Sequence, residues 1–364
     1  MGSASPLLPA IATFIALAAL LWLWIQAVRR VYRLNRPRAE RIAVTAKDGW
    51  SLTAFRRAPA TRRFEEPVLL CHGLAANHRN MDLEPPLSLA MYLAEQGFDC
   101  YSVDWRGTGR SRGAPKGRRS SDYSVDDHIL LDGPAFLNEV LRRTGAQRAF
   151  WVGHSLGGLV GYGVAQGPEA AHLAGLVTLG SPAFFRYQPY MHRLLRVART
   201  LAWPWALHQR VFSLLTAPFL GHVTLPLTEV VFNPEHIPPT AQRKIYAQVV
   251  SSVGRKVLLQ FSDWLDHDAF RSFDRSVDYR AGMARIRIPV LVAGGSSDRL
   301  APPDVVTAAY EVLGSPDKTL MIFGRDNGDR LDYGHGDLIF GLGAPTEVFP
   351  RIRDWLAARA TRVG

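Results

Sequence analysis

Cysteine is nearly absent: the 364 residues include two, Cys71 and Cys100. Two are too few for a disulfide framework, and a reducing compartment fits the chain best. Neither H-E-x-x-H nor C-x-x-C occurs, so no metal and no cofactor is expected. No internal repeat or low-complexity tract interrupts the sequence, and apolar residues are not depleted, which excludes an intrinsically disordered protein. Charge is missing at the beginning, where no ionisable side chain precedes Arg29.

Elsewhere charge is plentiful. Lys and Arg number 43 against 32 Asp and Glu, a formal net charge of +11. The basic residues are spread along the chain without a groove-reading module, so the excess reads as a solvated surface and no nucleic-acid partner is expected. The loop with Arg110, Arg112, Lys116, Arg118 and Arg119 reads as solvated in the same way.

The uncharged stretch at residues 6–25, PLLPAIATFIALAALLWLWI, matches the roughly 30 Å of a bilayer core at about 1.5 Å per residue. A cleaved signal peptide would carry a basic start and a small-residue cleavage site; this run ends in bulky Trp22, Trp24 and Ile25. The start MGSASP lacks the Ser or Thr at position six of a myristoylation signal. A retained single-pass anchor is expected, with membrane lipid as its partner. Arg29, Arg30, Arg33, Arg36, Arg38 and Arg41 follow it, which by the positive-inside rule places the large C-terminal part in the cytoplasm and brings arginines to anionic headgroups. The oligomeric state is left open.

Beyond residue 40 strand-like and helix-like segments alternate, the pattern of an α/β protein with a mostly parallel central sheet flanked by helices. Residues 41–59 form two alternating runs about Lys47-Asp48-Gly49, a hairpin. PVLLCHG at 67–73 and FDCYSVDWRG at 98–107 read as buried parallel strands. On that reading Cys71 ends one strand and Cys100 opens its neighbour, too far apart to bridge. The expected organisation is an anchor and basic segment at 1–40, a core at 41–182 and 287–364, and a helical cap at 183–286. The cap is rich in aromatics: Phe184, Phe185, Tyr187, Tyr190, Trp203, Trp205, Phe212 and Phe219. A connection that long needs structure or function of its own.

The stretch WVGHSLGGLV at 151–160 carries the chemistry. Glycines two residues before and after Ser155, between a strand and a helix, permit a turn so tight that side chains there would clash. Such a turn holds the hydroxyl clear of the backbone, and the amide of Leu156 opens the helix beside it, where it stabilises charge developing on a carbonyl oxygen.

With His72-Gly73 after one strand, Asp104-Trp105-Arg106-Gly107 after the next, GHSLGG at the elbow, GGSSDRLAPP after a late strand and LDYGHGDL near the end, the chain resembles the α/β-hydrolase superfamily over essentially all of its length after the anchor. VTAKDGWSL and the closing DYGHGDLIFGLGAPTEVFPRIRDWL look most like its acid-lipase and polyester-synthase-like branch. The resemblance implies Ser155 as nucleophile, His335 as general base, Asp298 as the acid that orients it, and the amides of Leu74 and Leu156 as oxyanion hole. Asp304, Asp332 and Asp337 are rivals of Asp298. His72 is expected to shape the oxyanion loop, His154 to pack against the core, and Asp104 and Arg106 to form a structural turn pair.

An aromatic cap over a serine nucleophile, tethered to a membrane, suggests a carboxyl-ester hydrolase of the lipase or esterase kind acting on apolar acyl esters. An acyltransferase would use the same triad with another acceptor, and a silent membrane scaffold would lack a triad member.

Overall fold

A computed structural model describes residues 7–185, 189–201, 206–222 and 226–364. Strands β1 (Glu40–Thr45) and β2 (Ser51–Arg57) pair antiparallel, from Glu40 opposite Arg56 to Thr45 opposite Ser51, so the expected hairpin is present. The strands β3 (Val68–Cys71), β4 (Cys100–Asp104), β5 (Ala149–His154) and β6 (Leu173–Leu179) are buried along their whole length. Continuous apolar runs of this kind need helices on both faces. A short pair, β7 (Ala206–Leu207) with β8 (Val253–Gly254), lies apart from the sheet. Strands β9 (Val290–Gly295) and β10 (Lys318–Phe323) complete the sheet in the order β1-β2-β4-β3-β5-β6-β9-β10, parallel from β4 onward.

Side chains alternate between the faces. Leu69, Trp151 and Val292 point into one apolar layer and Leu70, Val152 and Leu291 into the other. The chain runs from β3 outward to β4 and then back past β3 to β5. That reversal leaves a crevice beyond the carboxyl ends of β3 and β5, the place where open α/β sheets bind ligands. The register Val68 opposite Cys100 puts the two cysteines at opposite ends of their strands, each free and buried.

The N-terminal helix Leu7–Val31 is long and apolar enough, over Pro9–Val31, to cross a membrane. Most of it is exposed, but Val28 is buried against Leu214, Ala217 and Ala247. These three belong to the segment between β6 and β9, which contains the helices Pro189–Leu201, Gln209–Thr216, Pro239–Gln248 and Arg255–His267. Its expected aromatics divide. Phe185 packs on Phe261 and Trp264, Arg280 lies over Phe184, and Phe212 and Phe219 are exposed. Tyr187, Trp203, Trp205 and the side chain of Tyr190 lie outside the described residues.

Candidate active site

Strand β5 ends at His154, and Ser155 takes φ +53° and ψ −117° before the helix Leu156–Val164 begins. A left-handed φ at a residue with a Cβ is strained, and such strain concentrates at functional sites. Its amide is held by Leu179 O at 2.8 Å. The flanking glycines are required by contact. A Cβ on Gly153 would stand 2.3 Å from Gly157 C, and one on Gly157 would stand 2.2 Å from Cys71 O. The first amides of the helix have no carbonyl within it to bond, and Leu156 N is among them.

Asp298 follows β9 and is buried. Its Oδ1 accepts from Leu300 N and Ala301 N, each at 2.8 Å, and its Oδ2 lies 2.8 Å from His335 Nδ1. Both carboxylate oxygens are therefore committed, and the imidazole is oriented with Nε2 left to accept a proton. The rivals are spent elsewhere. Asp332 accepts from Ser296 Oγ and Arg325 N, Asp337 from His236, Asn233 N and Gly334 N, and Asp304 is exposed in the first turn of a helix.

Leu74 lies on the loop after β3, which two links hold in place. Asn80 Oδ1 accepts from Gly73 N at 3.2 Å and faces His154 Nδ1 at 3.1 Å. Asn77 Nδ2 donates to Gln248 O at 2.9 Å and Val249 O at 2.6 Å, and Ser251 N donates to Ala75 O. Leu74, Trp105, Tyr123, Leu156, Val253 and Val257 line a small cavity of about 10 Å³ beside the loop, room for about one water. The structure thus brings Asp298 to His335 and sets the Leu74 loop and Leu156 around one cavity.

His72 shapes this loop, as expected. Its Nε2 accepts from Trp105 N at 3.3 Å and its Nδ1 faces Gly73 O at 2.8 Å. His154 does more than pack. Its Nε2 lies 3.1 Å from His335 O, and the two rings are 4.8 Å apart, so one imidazole joins Asn80 to the loop of His335. Asn80 carries no sequence signal; only the fold brings it under Gly73. Asp104 and Arg106 are structural but do not pair with each other. Asp104 accepts from His78 and Arg110 N, whereas Arg106 turns to Asp132, Asp48 and Asp127 because the π-turn His128–Asp132 places a buried carboxylate beneath it.

Burial lowers the pKa of His72 to about 4, and burial together with the charge of His335 lowers that of His154 to about 3. An unfolded histidine titrates near 6.5, so on acidification the unfolded chain binds these protons first. The stabilisation is full above about pH 6.5 and is lost as pH falls toward 4 and 3, by up to about 1.4 kcal/mol per pH unit for each ring. The thermal midpoint is expected to drop between pH 6.5 and 4.5, and His154→Gln to shallow that slope. An unchanged slope in the variant would show that His154 titrates normally.

A model of the alpha/beta hydrolase fold family matches residues 66–325, a span that includes Ser155 and Asp298 and ends before His335. Lipase member M of Mus musculus is 24% identical over 350 residues, covering 86% of this chain and 82% of that protein. The human lysosomal acid lipase/cholesteryl ester hydrolase is 32% identical over 145 residues, 36% of each chain. Among solved structures, a soluble variant of monoglyceride lipase from Saccharomyces cerevisiae superimposes with a TM-score of 0.60 at 18% identity, covering 91% of this chain and 97% of that one. Sheet order, elbow and family match agree across the core: the chain belongs to the α/β-hydrolase family.

Proposed function

We propose that the protein is a membrane-tethered serine hydrolase that cleaves carboxylic esters of apolar acyl chains through an acyl-enzyme on Ser155. The observation that carries the reading is the pairing of a strained, glycine-flanked Ser155 with the buried His335–Asp298 hydrogen bond of 2.8 Å. Ser155 Oγ attacks the ester carbonyl as His335 Nε2 takes its proton. The amides of Leu74 and Leu156 bind the oxygen that becomes negative, and Asp298 stabilises the imidazolium. His335 then returns the proton to the departing alkoxide. Water, activated by the same base, releases the acid and restores the serine.

In this reading residues 183–286 act as the cap, and residues 41–182 and 287–364 as the catalytic core. The space beside Leu156, about 10 Å³, is far below the roughly 300 to 1,000 Å³ typical of ligand sites, so in this reading an acyl chain enters only when the cap shifts. Val211, Phe212, Leu215 and Phe219 are exposed on the cap near the face that receives Val28, which supports a cap lying on the bilayer. The helix Leu7–Val31 is then a retained anchor and its following arginines are cytoplasmic, although one relative is named a lysosomal lipase.

The test uses the full chain in neutral detergent: p-nitrophenyl esters from acetate to palmitate, with an alcohol acceptor added in parallel, and mass analysis after a fluorophosphonate probe. Turnover rising with acyl length and a single adduct on Ser155 are expected. Ester products dominating over free acid would make the protein an acyltransferase, and absence of both turnover and adduct would end the hydrolase reading.

A further inference from the structure

Five arginines from four parts of the chain converge without acidic partners. Arg29 stands near the end of the N-terminal helix and Arg79 on the turn His78–Asn80 behind the Leu74 loop. Arg110 and Arg112 lie on the loop after β4, and Arg210 in the first turn of the helix Gln209–Thr216. Gln248 ties the first two together: its Nε2 donates to Arg29 O at 3.2 Å, and its carbonyl accepts from Arg79 Nη1 at 3.2 Å. Arg29 Nε is sealed from solvent with no hydrogen-bond partner.

The neighbouring acids are already engaged. Asp82 pairs with Arg36 and Arg57, Asp104 with His78 and Arg110 N, and Asp48 with Arg106 and Arg118. Among the described residues no carboxylate lies within ion-pair distance of Arg29, Arg79, Arg110, Arg112 or Arg210. Asp104 accepts from both His78 N and Arg110 N, which sets the turn of Arg79 beside the loop of Arg110, and Gln209 Nε2 donates to Ser251 O at 2.9 Å while Ser251 N donates to Ala75 O, which brings the start of the Arg210 helix to the same loop. Burial lowers the pKa of Arg210 to about 10, and Arg112, Arg29, Arg79 and Arg110 add to the effect. Gathering half-buried Arg29, Arg79 and Arg210 with exposed Arg110 and Arg112 and no counter-charge is unfavourable unless an anion completes the set.

We propose that Arg29, Arg79, Arg110, Arg112 and Arg210 form a binding site for the phosphate of an anionic lipid headgroup, set where the N-terminal helix, the Leu74 loop and the cap meet. Arginine favours phosphate through paired N–H donors. The lipid source follows from depth. Trp22 and Trp24 are exposed on the helix, and Arg29 lies five residues beyond Trp24, roughly 7 to 8 Å along the axis, where headgroups follow an aromatic belt. The proposal rests on that helix entering a bilayer and is independent of the ester chemistry.

The experiment titrates dioctanoyl-phosphatidylglycerol into the full chain carrying Ser155→Ala in neutral detergent, followed by calorimetry, so that binding is read without turnover. Saturable binding that weakens with salt, and falls at least tenfold in Arg210→Gln and in exposed Arg112→Gln, is expected. Dioctanoylglycerol, with the same chains and no phosphate, should fail to bind. Equal affinity for inorganic phosphate would make this a free-phosphate site and overturn the lipid assignment. Unchanged lipid affinity in both variants, with unchanged thermal midpoints, would overturn the site itself.

Discussion

Ser155→Ala is expected to reduce ester turnover by about 10⁶-fold with little change in thermal midpoint, since on the proposed mechanism the hydroxyl it removes is the nucleophile and not part of the core. Asp298→Asn should lower kcat by about 10⁴-fold, because an amide at that position favours the wrong imidazole tautomer. The two losses should not add. Once the nucleophile is gone, an oriented base has nothing to activate, so the double variant should match Ser155→Ala alone. The comparison is a kcat/KM series on one soluble ester, with circular dichroism as the check on folding. If Ser155→Ala retained full activity, or if the losses multiplied, the three residues would not be acting as one unit.

Gly157→Ala should act on the fold first. The added methyl would approach Cys71 O to 2.2 Å, and both partners of that clash are backbone: the end of β3 and the first turn of the helix Leu156–Val164. No rotamer change relieves it, so strand and helix must separate, at about 3 kcal/mol or more. The separation moves the start of the Leu74 loop relative to Leu156. A displacement of about 1 Å at a site of this kind can cost about 10²-fold in rate. Urea unfolding of the full chain, with turnover measured on the folded fraction, reads both effects. A variant as stable and as active as the parent would mean that the elbow is looser than its contacts require.

Much of the site could be read from the chain because its parts are local. Ser155 announces itself through Gly153 and Gly157, three residues that solve one steric problem within five positions. Asp298 follows a strand and a run of small residues, and His335 sits between glycines. The paired strands β1 and β2 were legible from alternation about a turn. The remainder depends on long-range placement. Asn80 looks like any polar residue until the sheet order brings it under Gly73 and His154. The exchange of partners by Asp104 and Arg106 follows from Asp132, whose position depends on a π-turn that no periodicity marks. The arginines that converge on Arg210 are scattered from position 29 to 210, so as a string they resemble an ordinary solvated surplus.

The bonds from Asn77 to Gln248 and Val249, and from Ser251 to Ala75, have a consequence for timing. On the proposed mechanism they join the backbone that would aim Leu74 N to the part of the chain that would have to yield for a long acyl chain to enter. With this part displaced, Ser155 and His335 would stay in place but the Leu74 loop would slacken, so on the proposed mechanism admission and reaction would become successive events. Conformational closure of this size takes microseconds to milliseconds. An ester that entered without displacing Gln248–Ser251 would skip that delay, and one that displaced them would wait for closure before its carbonyl could be attacked. The same three hydrogen bonds would thereby let molecular bulk govern pace, and a passing small ester and a membrane lipid would meet two kinetically different enzymes in one fold.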